Sequence, residues 1–435
     1  MNTPRLGWLY DRDASTPDVS VMLLDDGEAI TLTVPWQSRD SPYLRWFHGH
    51  FVEFADDPGR DRYTYDVPET LWFRDVLGSV ALIGCRMRSS MEPGPLGQGV
   101  ITVGAAILGA QEELDYSQIH ALRTDVPGLG QWMRLRSLTH EASTDHENRL
   151  QTLTLRLRAP DPIPIDEEVG LQIRPNFTYT IPGRPDTTQI QETLEIHTAL
   201  PQLQDWWAHS RVHGAFVDLP SLACWRPLGY RAQWAQRNDD PERSIGGKIV
   251  GDKWSHVRSY RTRPNDDESQ SLQFLFDFSS VGPAGAKEWL RMRQHFERGM
   301  NHILDTLRTP RALETSVSQL GIGLDGLGYR LLLDDGHEVG KASKASHATK
   351  LERVMEDLLV TPPFEPRDWT NRMRISYRAV KHAEHDMPEY IDLLNTVQDA
   401  RLIFRLWVAS RIGVPAEDLA RGLSYDRMTQ RFEAP

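Results

Sequence analysis

Arg372-Met-Arg-Ile-Ser-Tyr-Arg378-Ala-Val-Lys-His382-Ala-Glu-His385-Asp386 is the stretch from which the C-terminal part of this chain can be read. Arg374, Arg378 and His382 recur every four residues and His385 follows after three, so a helix would place all four on one face. A face with arginines for a phosphate and histidines for proton transfer is what metal-free RNA cleavage needs. The run that follows, from Tyr390 to Val414, has the pattern of a long amphipathic helix stopped at Gly413 and Pro415. It supplies the polar helix with a packing partner.

Working outward, helical patterns are predicted over 286–307, 312–333, 343–359, 367–383 and 390–412, separated by Pro310, Asp334-Asp-Gly336 and Pro362-Pro363. They make an all-α bundle. Before Val281-Gly-Pro-Ala-Gly285 the character differs. Val19-Ser-Val-Met-Leu-Leu24, Asp25-Asp-Gly27 and Ala29-Ile-Thr-Leu-Thr-Val34 read as a hairpin. Further strands are expected at 51–54, 80–83, 101–103, 153–157, 168–174, 193–198, 248–250 and 273–278, and a helix over 202–212. The segments opening at Asn238 and Arg263 read as exposed polar loops, and Pro160-Asp-Pro-Ile-Pro164 as a rigid connector at which the β region could subdivide. The expected organisation is a β-rich sandwich- or barrel-like region over 1–283 and a helical domain over 284–435.

At 435 residues the chain exceeds one ordinary core. With 39% hydrophobic residues and 13 tryptophans it reads as folded rather than disordered. No apolar run approaches the ~20 residues of a membrane span. The first residues carry no charged-then-apolar export signal. Cys85 and Cys224 are the only cysteines, which fits a reducing cytoplasm and excludes a zinc ribbon built from cysteine pairs. A net charge of −12 argues against broad nucleic-acid coating, yet the charge is uneven. Residues 281–435 hold 22 Lys+Arg and 22 Asp+Glu, leaving 27 and 39 to the rest. Between 367 and 385 there are five basic residues against two acidic ones, a local basic face on an acidic protein.

The segment Arg378-Ala-Val-Lys-His382, with Asn395-Thr-Val-Gln-Asp-Ala-Arg401-Leu-Ile-Phe-Arg-Leu-Trp407 and Arg411-Ile-Gly413, resembles the HEPN nucleases, whose signature is Arg, four to six residues, then His. Among them it is most similar to the ApeA-type HEPN proteins of prokaryotic anti-phage defence. Tyr65-Asp-Val-Pro68, Phe73-Arg-Asp-Val-Leu-Gly78-Ser-Val-Ala-Leu82 and Leu122-Arg-Thr-Asp-Val-Pro-Gly-Leu129-Gly-Gln-Trp132 resemble the ApeA N-terminal domain. The resemblance implies an endoribonuclease of abortive infection, needing no cofactor and leaving a 2′,3′-cyclic phosphate. Its substrate would be RNA, with tRNA as one candidate, and its trigger would come from the phage. It also implies a homodimer through the last domain, so that two signature helices face one groove.

Arg378 would stabilise charge on the phosphoryl oxygens, with His382 or His385 as acid or base and Arg374 and Lys381 as phosphate contacts. Arg378 to His382 leaves three intervening residues and Arg378 to His385 leaves six, so both histidines stay candidates. His382 is preferred slightly because it lies deeper in the predicted helix. The alternative is a catalytically inactive HEPN module serving dimerisation or RNA or partner binding. The blander reading makes these residues the solvated face of an ordinary helix. Glu314 or Asp325 would orient a histidine across the bundle, although Asp325, within Gly321-Ile-Gly-Leu-Asp-Gly-Leu-Gly328, fits a polar helix position better than a nucleotide loop. His382, His385 and Asp386, His209 with His213, and His48 with His50 have metal-ligand spacings without a full set. No Gly-x-Ser-x-Gly or His-Glu-x-x-His occurs, and the two cysteines read as small buried hydrophobes.

Overall fold

Alternating apolar and polar residues set the first strands. The computed structural model describes residues 3–10, 19–37, 43, 45–48, 67–91, 96–112, 114–158, 160–180, 189–259, 261 and 271–433. It begins with β1 (Arg5–Tyr10), β2 (Val19–Asp25), β3 (Ile30–Trp36) and a helical turn, α1 (Arg45–His48). Then come β4 (Thr70–Asp75), β5 (Gly78–Ile83), β6 (Arg86–Met91), β7 (Gly97–Val103), β8 (Ala105–Leu108) and β9 (Gln118–Asp125). α2 (Leu129–Met133), β10 (Leu138–Thr144), β11 (Leu150–Leu157), β12 (Ile163–Asp166), β13 (Leu171–Thr180), β14 (Gln189–Asp205) and α3 (Trp206–Cys224) follow. After β15 (Ala232–Gln236), β16 (Glu242–Arg243), β17 (Ile249–Gly251) and β18 (Trp254–Ser259) the chain turns helical. The helices are α4 (Phe278–His295), α5 (Glu297–Arg308), α6 (Leu313–Asp334), α7 (Val339–Lys344), α8 (His347–Glu356), α9 (Pro366–Lys381), α10 (Tyr390–Arg411) and α11 (Ala416–Tyr425). The chain is thus β-rich first and helical afterwards, as its sequence predicts.

Contacts gather the chain into two compact units, each built from separate segments. The first takes 1–126, 195–211 and 229–266, and the second 127–194, 212–228 and 267–435. In the first unit the strands hydrogen-bond in the order β14–β9–β15–β18–β8–β5–β4–β1–β2–β3–β7–β6, antiparallel at each of these pairings. β2 and β3 form the expected hairpin, Met22 opposite Thr33. Gly27 (φ 90°) supplies its left-handed turn residue. Asp26 accepts the N–H groups of Glu28 and Ala29 there. At the middle of the sheet both faces are covered. Leu71, Phe73, Val80 and Leu82 join one apolar cluster, whereas Trp72, Ala81 and Ile83 join another. Period-two alternation sends neighbours to opposite faces, so a strand buried on both sides reads as the unbroken apolar run of β5.

In the second unit α10 is the inner helix. From Leu402 to Ala409 every residue is buried, so it lacks the amphipathic character expected of it. Arg405 is tolerated there because Leu222 O (3.0 Å) and Ala223 O (2.5 Å) accept from it and Asp426 pairs with it at 2.7 Å. The glycine run of α6 is a close-packing face, not a phosphate loop. A Cβ on Gly323 would meet Gly299 O at 2.9 Å, and one on Gly328 would meet the Lys350 backbone at 2.3 Å. Helices α5 and α8 approach α6 at backbone distance there.

Several expected bounds move. The helix expected over 286–307 is two, because Phe296 leaves helical geometry (φ −106°, ψ 20°). Asp277 caps α4, and the chain kinks at Gly282 before Pro283, so residues 273–278 lead into a helix rather than forming a strand. The helix expected over 343–359 splits at Ser346, whose side chain accepts from Thr349 N–H. Residues 202–205 belong to β14, and Asp205 starts α3 by accepting from Trp207 N–H at 2.8 Å. Within the supposed loop at Asn238, Asp240 is buried beneath Tyr116 and Lys253. The strand expected at 51–54, the loop opening at Arg263 and His50 lie outside the described residues.

Candidate functional site

The sequence of α9 determines which of its faces is free. Pro366 sits in the first turn, where its missing N–H costs nothing and its φ suits a helix. Trp369, Thr370, Met373, Ser376 and Ala379 form the buried stripe. Arg372 reaches α10, 2.8 Å from Asp399 and 3.2 Å from Thr396 Oγ1. The stripe leaves Arg374, Arg378 and Lys381 exposed. Arg374 bonds Asn371 Oδ1 at 2.9 Å, and the Lys381 ammonium lies 5.9 Å from the Tyr377 ring centre. Arg378 forms no ion pair or hydrogen bond through its guanidinium among the described residues.

The helix ends two residues sooner than its sequence pattern predicts. His382 is extended (φ −133°, ψ 110°), its N–H donating to Arg378 O at 3.0 Å, and His385 N–H donates to His382 O at 3.1 Å. Pro388, lacking an N–H, bars direct continuation into α10. Both histidines therefore sit on the turn beyond the helix. The preference for His382 as the deeper helical residue loses its basis. The turn nevertheless keeps the two together, ring centres 6.2 Å apart and edge to face. The Glu384 carboxyl is held below its usual range, first by its own backbone N–H and then by the charges of His382, His385 and Arg378. Arg378 and the two imidazoles thus gather around one exposed carboxylate.

Beneath this end of α9 lies a linked set of polar groups. Tyr377 packs over Gly321, where a Cβ would fall 2.3 Å from its ring, and stacks on His347 at 4.8 Å. His347 Nδ1 lies 3.3 Å from Asp325 Oδ1, and Lys350 Nζ lies 2.9 Å from Asp325 Oδ2. Burial pushes the Asp325 carboxyl up, but the bonds from His347 and Lys350 outweigh it and hold the group below its usual range. Burial, then the Asp325 charge, raises the Tyr377 phenol. Asp325 thus does orient a histidine across the bundle, but it is His347, not His382 or His385. Glu314 stands exposed near the start of α6. Sequence reasoning missed His347. The signal was Asp325 itself, a lone carboxylate in an apolar glycine run that needed a partner from elsewhere.

Other candidates resolve into structure. Asn395 clamps the Phe432 backbone with two 3.0 Å bonds, Arg401 lies 5.7 Å over Trp225, and Arg411 pairs with Asp357 at 3.0 Å. His209 is buried on Thr198 Oγ1 at 2.7 Å, and burial pushes its imidazole down to about 4. Burial pushes the Cys85 thiol up to about 12 and Cys224 up to about 11, far from thiolate nucleophiles. Among the described residues no three His, Cys, Asp or Glu side chains come together as a metal site. No helix among them is long and apolar enough to cross a membrane.

Comparison with known proteins gives one match. The family model for ApeA N-terminal domain 1 matches residues 6–290, well over half the chain. No curated protein and no solved structure matches.

Proposed function

The chain belongs to the ApeA family, which supports a role in anti-phage defence, and from that membership we propose that its C-terminal helices form a HEPN-type, metal-independent endoribonuclease. The observation that carries this reading is the convergence of Arg378, His382 and His385 at the open end of α9, with the Arg378 guanidinium unpaired among the described residues. In the reaction one histidine takes the 2′-OH proton and the freed oxygen attacks the adjacent phosphorus. The bond to O5′ breaks, and the other histidine protonates the departing oxygen. The products are a 2′,3′-cyclic phosphate and a 5′-OH end. Arg378 stabilises the charge that accumulates on the phosphoryl oxygens, while Arg374 and Lys381 hold flanking phosphates. Ile375, 42% exposed and one turn before Arg378, gives α9 an apolar contact for a second copy of the chain. The homodimer of this reading would close two such helix ends into one groove.

Purified protein incubated with total RNA and EDTA tests the proposal. Cleavage that survives chelation and leaves cyclic phosphate ends supports it. Cleavage lost on chelation and restored by Mg²⁺ or Mn²⁺ transfers the chemistry to a metal. A non-catalytic module, binding RNA or a partner, is the second reading. It is favoured by the position of both histidines outside the rigid helix, and RNA binding without cleavage would establish it.

A further inference from the structure

The first unit holds two polar side chains that its fold leaves without partners. On β18, His256 and Arg258 alternate with the buried Ser255 and Val257. Both therefore stand on one face of the sheet, roughly 6–7 Å apart along the strand. Trp234 lies opposite His256 across the ladder, and Arg123 lies opposite Trp234. The Arg123 guanidinium is held 4.5 Å from the Trp234 ring centre and 4.6 Å from that of Trp254. Arg258 faces Ala106 on β8, a side chain too short to fill the space beside a guanidinium. Half-buried, Arg258 makes no hydrogen bond or ion pair among the described residues, and its Nε is shut away from water. Asp125, two strands away on the same face, does not answer that charge, because Arg231 already binds its carboxylate at 2.6 and 2.9 Å. Burial, then the charge of Arg258, pushes the His256 imidazole below its usual range. His256 Nδ1 is buried without a partner. A lone pair costs less there than an unmet N–H, so the proton belongs on Nε2, which is then a donor without an acceptor. A guanidinium kept half out of water without a counter-charge costs stability, and such groups gather where a ligand completes them.

We propose that Arg258 and His256 bind a tetrahedral oxyanion, either free phosphate or the phosphate group of a larger ligand. Arg258 offers its guanidinium fork, His256 its Nε2 proton, and Arg123 a second fixed positive charge that suits a dianion better than a carboxylate. The site lies in the β-rich part of the chain and does not rest on the ribonuclease reading, because the test measures binding and stability alone. Full-length protein is titrated calorimetrically with sulfate, inorganic phosphate, ribose 5-phosphate and acetate. Sulfate and phosphate are expected to bind at least 10-fold more tightly than acetate. Arg258→Met should lower their affinity at least 10-fold, and His256→Phe at least 3-fold. Because Arg258→Met removes a charge that has no counter-charge, its melting temperature in buffer free of these anions should equal or exceed that of wild type. Ribose 5-phosphate binding more tightly than phosphate would assign a phosphorylated ligand, and binding no more tightly would assign free phosphate. No oxyanion binding at tens of millimolar, acetate binding as tightly as sulfate, or affinity indifferent to both variants overturns the proposal. A lowered melting temperature of Arg258→Met without anion also overturns it, since Arg258 would then be a structural strut.

Discussion

Arg405 and Arg378 are both helical arginines of the same unit, and they could hardly be placed more differently. Arg405 is 1% exposed and held by two carbonyls and a carboxylate; Arg378 is exposed and has no ion-pair or hydrogen-bond partner for its guanidinium among the described residues. A buried guanidinium whose nitrogens all have partners is a structural part, because removing it strands those partners in a dry interior. An exposed one with no partner adds little to stability and is available to a phosphate. The same contrast separates His209, buried and held neutral, from His382 and His385 on their open turn.

The comparison is most easily broken at its buried side. Arg405→Ala leaves Asp426 and the Leu222 and Ala223 carbonyls unsatisfied and should cost about 3–5 kcal/mol in denaturant unfolding. A loss below about 1 kcal/mol would mean that Arg405 is not the strut described. Arg378→Ala should do the reverse. RNA cleavage should fall roughly 10²–10³-fold, or about 2.7–4 kcal/mol, with stability within about 0.5 kcal/mol of wild type. Unchanged cleavage would remove Arg378 from the site.

The histidine contrast predicts a pH dependence. The unfolded His209 imidazole takes up a proton near pH 6.5, whereas burial delays this in the folded chain to about pH 4. The unfolded state therefore binds more protons in that window, and stability present above pH 6.5 is lost as pH falls toward 4, on the order of 2–3 kcal/mol. His209→Gln should flatten this part of a stability–pH profile; an unaltered slope would place the titration elsewhere. The smallest effect is expected at the support of α9. Gly321→Ala puts a methyl against the Tyr377 ring and should cost about 1–2 kcal/mol. It should also weaken cleavage through displacement of α9, whereas a fully wild-type variant would show that α9 tolerates the shift.

By itself the sequence determined the change from strands to helices, the β2–β3 hairpin and the existence of α6, α9 and α10. These follow from local periodicity and from turn residues such as Asp26-Gly27, which act over a few positions. It also placed Arg378 beside two histidines, since neighbours in the chain stay neighbours in space. Only the tertiary structure decided the rest. It ended α9 at Lys381, buried α10 on every side, and split the helix expected across Phe296. It paired Asp325 with His347, 22 residues away, and made a glycine run into a seat for α5, α8 and Tyr377. Each of these depends on which surfaces meet, and burial and hydrogen-bond satisfaction between distant residues leave no periodic trace along the chain.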